Sequence, residues 1–107
     1  MKKYPIHYKG KEYEVRWGEE WYRNILGIFE VKKIFIFKNY KCKFYTYEDE
    51  IIDKVESKGI LKSHPNFYIE EIKMLFKEWE EFSEEQNKRQ LIKSAKENAL
   101  KDWNGVI

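Results

Sequence analysis

No glycine and no proline occurs between Pro65 and Gly105. A stretch that long without either strong breaker can run as helix from end to end, and nothing obliges it to stop. Its apolar residues do not keep to one side, however. At about 100° per residue, Ile69, Ile72, Leu75, Phe76, Trp79 and Phe82 cluster on one flank, while Leu91, Ile92, Ala95, Ala99 and Trp103 cluster almost opposite. The intervening Ser83–Gln90 carries no apolar residue. Two foldings compete. In one, the helix breaks near 83–88, with Ser83 and Gln86 as a capping box, and the chain turns back as an αα-hairpin. In the other, one helix covers residues 66–103, supported by Glu84 with Lys88 and Glu85 with Arg89 in the favourable i,i+4 order. Such a helix is about 55 Å long, against a diameter of roughly 34 Å for a globular domain of this size. Its far apolar face then needs another molecule. The continuous helix is favoured, because charged hairpin loops without Gly, Pro or Asp are unusual.

The chain ahead of this stretch has a different period. Tyr13, Val15 and Trp17 alternate with Glu12, Glu14 and Arg16, the pattern of an antiparallel strand with one wet face. Lys9-Gly10-Lys11 joins it to Tyr4–Tyr8 as a hairpin, with Gly10 free to take φ > 0. Gly18-Glu19-Glu20 reads as a break. Ile25–Val31, Ile34–Phe37 and Cys42–Tyr47 read as further strand segments, with Asn39 the most turn-like position between the last two. Ile34–Phe37, apolar at every position, is expected as a central strand covered on both faces. Thr46 and Asp49 have capping-box spacing, Glu48-Asp49-Glu50 suits a helix N-terminus, and Gly59 suits a left-handed C′ position. These signals predict a short helix over 47–58. The expected fold is α+β in a single domain: an antiparallel, aromatic-rich sheet of three to five strands over residues 3–47, the short helix, then the long C-terminal helix.

Charge divides along the same line. Residues 1–47 hold eleven Lys and Arg against five Asp and Glu, a net of +6; residues 48–107 hold ten against fourteen, a net of −4. Asymmetry of this kind speaks to partners rather than to fold. Lys32, Lys33, Lys38, Lys41 and Lys43, interleaved with Phe35, Phe37 and Tyr40, form a stretch without an acid, and lysines beside stacking rings are what a single-strand or RNA-binding surface needs. Lys32, Lys33, Lys38, Tyr40, Lys41 and Lys43 are therefore candidate nucleic-acid contacts. A plainer account makes the rings core and the lysines a solvated hairpin. With three arginines in the chain, bidentate reading of DNA bases has little to draw on. The acidic run Glu70, Glu71, Glu78, Glu80, Glu81, Glu84 and Glu85 reads as a solvated helix face.

Catalytic chemistry finds little support. Cys42 is the only cysteine, which excludes a disulfide framework and a four-thiolate metal site. It shares phase with Phe44 and reads as a small buried hydrophobe. His7 and His64 have no partner at i+3 or i+4, no Glu-x-x-His follows the glutamates, and no Gly-rich phosphate loop exists. No catalytic, cofactor or metal residue is assigned. The segment Tyr4–Lys9 lacks the apolar core of a signal peptide, and no run approaches the ~20 residues of a membrane span, so a cytoplasmic protein without a membrane partner is expected. The reading that remains is a non-enzymatic binding or regulatory protein acting through protein contacts. Leu91, Ile92, Ala95, Ala99 and Trp103 are its candidate interface, with homodimerisation the simplest way to bury them. Small size, AT-rich codon bias and the lack of catalytic motifs are in the style of accessory proteins or inhibitors from phages and mobile elements, a likeness of composition and not of motif.

Overall fold

The computed structural model describes residues 3–107. Four strands, β1 (Lys3–Tyr8), β2 (Lys11–Glu20), β3 (Arg23–Ile34) and β4 (Phe37–Tyr47), precede two helices, α1 (Glu48–Ser57) and α2 (Phe67–Asp102). The strands form an antiparallel meander in the order β1-β2-β3-β4. The fold is α+β, as the patterns predict. By compactness the chain divides into a unit up to Phe76 and a unit from Lys77 onward.

In the first unit one sheet face is covered and the other is open. Tyr13 and Val15 on β2 and Leu26 and Ile28 on β3 are buried, and the register sets Val15 opposite Ile28. Ile51 and Val55 of α1 and Phe67, Glu71, Met74, Leu75 and Phe76 of α2 complete the core. The Phe76 ring lies 4.7 Å from that of Tyr8 and 5.8 Å from that of Tyr13. The buried side of α2 therefore centres on Phe67, Glu71 and Leu75. Ile69, expected on the buried flank, is half exposed.

Three two-residue turns join the strands, and two differ from expectation. Lys9-Gly10 turns as predicted, with both residues left-handed. Gly18-Glu19-Glu20 does not break β2, which runs on to Glu20; the turn is Trp21-Tyr22, both at positive φ (50° and 65°). Asn39 lies within β4, and the β3–β4 turn is Phe35-Ile36. Ile34–Phe37 is thus the apex of a hairpin and not a covered central strand: Phe35 is 96 % and Ile36 90 % exposed. Bulky residues occupy positions where backbone sterics favour glycine or asparagine, so turn chemistry pointed elsewhere.

A register shift between Ile28 and Phe29 leaves Lys43 as an extra residue on β4, since Ile28 pairs with Phe44 and Phe29 with Cys42. A bulge reverses alternation. Phe44 faces the core side, whereas Cys42 is exposed with its Sγ 3.9 Å from the Phe44 carbonyl oxygen. The buried reading of Cys42 is corrected.

α1 begins after Tyr47 without a side-chain cap; the Thr46 hydroxyl, expected to accept a backbone N–H as the cap, donates to Glu50 Oε2 at 3.2 Å. Gly59 takes φ 87° and donates to the Glu56 carbonyl at 2.9 Å, closing the helix as predicted. His64 belongs to the turn before α2: its Nδ1 accepts from the Asn66 N–H at 3.1 Å. The Asn66 carbonyl accepts the first α2 bond, from Glu70 N–H at 3.0 Å. α2 is continuous; residues 83–88 are helical throughout, and Arg89 Nε pairs with Glu85 Oε1 at 3.2 Å. At the far end Asn104 Oδ1 accepts from the Val106 N–H and Gly105 is left-handed, but Val106 and Leu100 both stay exposed rather than packing together.

Candidate functional site

Two surfaces and one buried group are the candidates for function. The first surface lies in the second unit. From residue 84 to residue 107 every side chain is exposed. Leu91 is 71 %, Ile92 68 % and Trp103 51 % accessible, with the small Ala95 and Ala99 between them. Leu91, Ala95 and Ala99 recur every fourth residue along an unbroken helix and so share one flank, with Ile92 next to Leu91. Trp103 follows the last helical residue, Asp102, so helical spacing does not set its direction.

The second surface lies at one end of the sheet. The six predicted nucleic-acid residues do not form one patch. Lys33 pairs with Lys38 and Val31 with Tyr40, placing Lys33, Lys38 and Tyr40 on the open face with Phe29. Lys32, Lys41 and Lys43 fall on the other face, around Glu30. Lys43 Nζ approaches Glu30 Oε2 at 3.5 Å and Lys32 Nζ approaches Oε1 at 3.8 Å. Lys33 reaches Glu12 at 3.9 Å. The segment has no acid of its own, yet its neighbours supply two. Burial acts to raise the Glu30 carboxyl, but Lys32, Lys43 and Lys11 outweigh it and hold the group below its ordinary range.

On the open face, Arg16 is the centre. Its guanidinium carbon sits 4.4 Å from the Phe29 ring centroid and 4.6 Å from that of Tyr40, and its Nε donates to Glu14 at 2.7 Å. Gly27 lies opposite Arg16 in the register, and a Cβ there would meet the Phe29 ring at 3.1 Å. The absent side chain makes room for Phe29 to lie across the strand beneath Arg16. Tyr45, paired with Gly27, is exposed. At the opposite end of the sheet Arg23 forks onto Asp49 at 2.8 and 3.1 Å and covers the Tyr47 ring at 3.5 Å. That hydrogen bond holds the Asp49 carboxyl below its ordinary value.

The buried group is Glu71, read from sequence as part of a solvated acidic face and found fully enclosed. Its Oε1 accepts from the Trp17 indole N–H at 3.4 Å; its Oε2 has no donor. Burial pushes its pKa up to about 8, the Glu48 carboxyl adds to the rise, and the Trp17 bond opposes it. Periodicity held one clue, since 67, 71, 74 and 75 share a helix flank, but a charged residue there is read as exposed.

Among the described residues no group of three or more His, Cys, Asp or Glu stands close enough to hold a metal ion. No helix among them is long and apolar enough to cross a membrane. Comparison with protein-family models, curated proteins and solved structures returns no match for this chain.

Proposed function

We propose that this chain is a non-enzymatic binding protein that works as a pair of copies joined through the C-terminal half of α2. The observation that carries the reading is the exposed Leu91, Ile92, Ala95 and Ala99 on a helix that does not break, with the half-exposed Trp103 just past its end. Water-exposed apolar area of this kind gains ~25 cal/mol per Å² when covered. The stripe suits a copy of itself. Laid antiparallel, Leu91 meets Trp103 of the other copy at each end and Ala95 meets Ala99 in the middle. Bulk is then placed at the ends and small residues where the backbones must approach. A two-fold interface of this sort is isologous and self-limiting. Light scattering tests it: a mass of two chains, returning to one in Ala95→Glu or Leu91→Glu, is expected.

A second reading has one specific observation behind it. Arg16 stacked on Phe29 and Tyr40, with Tyr45 exposed alongside, offers rings and a cation on an open sheet face, as single-stranded nucleic acid requires. Lys33 and Lys38 border that face; Lys32, Lys41 and Lys43 do not. Salt-sensitive retardation of an oligonucleotide, weakened by Tyr40→Ala, is its expected outcome.

A further inference from the structure

The end of the sheet that carries the Phe35-Ile36 turn combines three features that oppose the stability of an isolated fold. Phe35 holds φ at 58°, where a bulky side chain is strained. Ile34, Phe35, Ile36 and Phe37 are all exposed, a run of four apolar residues in water. Lys33 and Lys38 stand directly opposite one another, like charge against like. A polar turn with glycine would remove the first two. Strain held at an exposed residue is one feature that contact sites share.

Shape and charge then narrow the partner. The strands alternate in direction, so the Lys9-Gly10 turn lies at this same end. Lys9, Lys11, Lys32, Lys33, Lys38 and Lys41 gather there against Glu12 and Glu30. Among the described residues Lys38 forms no ion pair, and Lys41 lies opposite Glu30, whose carboxylate approaches Lys32 and Lys43. The β2–β3 register reaches only as far as Tyr13 with Glu30, while β3 and β4 stay paired to Ile34 with Phe37. The hairpin therefore overhangs the sheet and ends in a convex apolar point behind a collar of lysines. A convex apolar point encloses no ligand, and an apolar medium that it can enter would cover it.

We infer that the β3–β4 hairpin docks on an anionic lipid bilayer. Phe35 and Ile36 enter the acyl boundary, and Lys33 and Lys38 meet the headgroup phosphates, which relieves their mutual repulsion. The other exposed aromatic turn, Trp21-Tyr22, is unsuited to such a surface. It is flanked by Glu19 and Glu20, Asp49 and Glu50 stand near its Arg23, and Glu48 takes the Asn24 amide. The sheet is thus polarised along its strands, and only one end is attracted to negative charge. The inference does not depend on pairing through α2, although a pair of copies would present two hairpins.

Co-sedimentation of the full chain with vesicles tests it, comparing phosphatidylcholine alone with phosphatidylcholine containing about one-fifth phosphatidylserine. Binding to the anionic vesicles is expected, with little to the neutral ones. Lys33→Glu and Lys38→Glu should each weaken it by roughly fivefold or more. Phe35→Gly with Ile36→Ser should abolish it, and because glycine accepts the left-handed φ, this variant keeps the turn and its circular dichroism. Trp21→Ser with Tyr22→Ser should leave it unchanged. Three results would overturn the inference. One is anionic vesicles binding no better than neutral ones. Another is a Phe35→Gly, Ile36→Ser variant that binds like the parent. The third is an oligonucleotide, or a further copy docked at Trp21-Tyr22, that occupies the lysine collar while vesicles do not.

Discussion

Glu71 Oε1 accepts the indole N–H of Trp17 at 3.4 Å, and nothing donates to the Oε2 beside it. A buried carboxylate oxygen without a donor is costly, whereas a protonated one becomes a donor itself. The neighbouring Glu48 carboxyl is the acceptor at hand, and Glu48 in turn takes the Asn24 amide at 3.4 Å. With its pKa pushed up to about 8, Glu71 keeps its proton at neutral pH.

Its pH consequence has a definite sign. The folded-state pKa of Glu71, about 8, lies above its ordinary 4.5, so the folded chain binds the extra proton throughout that window. The Glu71 contribution to stability is full below about 4.5 and is lost as pH rises through about 8, by an amount on the order of a few kcal/mol. Glu71→Gln, whose amide can donate where the proton stood, should flatten the profile and be the more stable form in alkali. Urea denaturation across pH checks this; parallel curves for the two proteins would show that Glu71 does not titrate with folding.

Trp21 and Tyr22 both sit left-handed, and Tyr22 is 98 % exposed. Replacing the pair with Asn-Gly removes strain and forfeits almost no packing. A gain of about 1–2 kcal/mol is expected in the denaturation midpoint. A loss would mean that these rings stabilise the free fold.

Ile28 and Ile92 are the same residue type in opposite settings, one enclosed and one 68 % exposed. Ile28→Ala should cost about 2–5 kcal/mol at any protein concentration. Ile92→Ala should matter only where copies associate, so its effect should vanish on dilution. Dilution-independent loss at both sites would place Ile92 in a core within one chain.

Cys42 faces out because of the bulge at Lys43. A thiol reagent should label it in the native protein at nearly the denatured rate. Strong native protection would return it to the buried side.

Much of the fold was legible where ordinary chemistry sits at ordinary positions. Gly10 turns the first hairpin, Gly59 ends α1, and the alternation of Tyr13, Val15 and Trp17 marks the covered face. The continuity of α2 was legible for the same reason, a long stretch without glycine or proline, and Leu91 and Ile92 are exposed on it. What resisted reading involves residues set against their own preference. Trp21, Tyr22 and Phe35 occupy turn positions that sterics give to glycine, so the apex Ile34–Phe37 passed for a covered strand. An inserted Lys43 reverses alternation without altering composition. Glu71 is buried through a proton, which no periodicity reveals. The lysine stretch appeared unopposed because Glu12 and Glu30 lie outside it, and each reaches a lysine on another strand, Lys33 and Lys43 respectively.

The pairing of two copies is most directly tested by sedimentation equilibrium over a range of micromolar concentrations. The parent should approach twice the 13.3 kDa chain mass, while Leu91→Glu with Ala99→Glu stays at one chain and keeps its helix content. A parent that remains a single chain at the highest concentration would contradict the account.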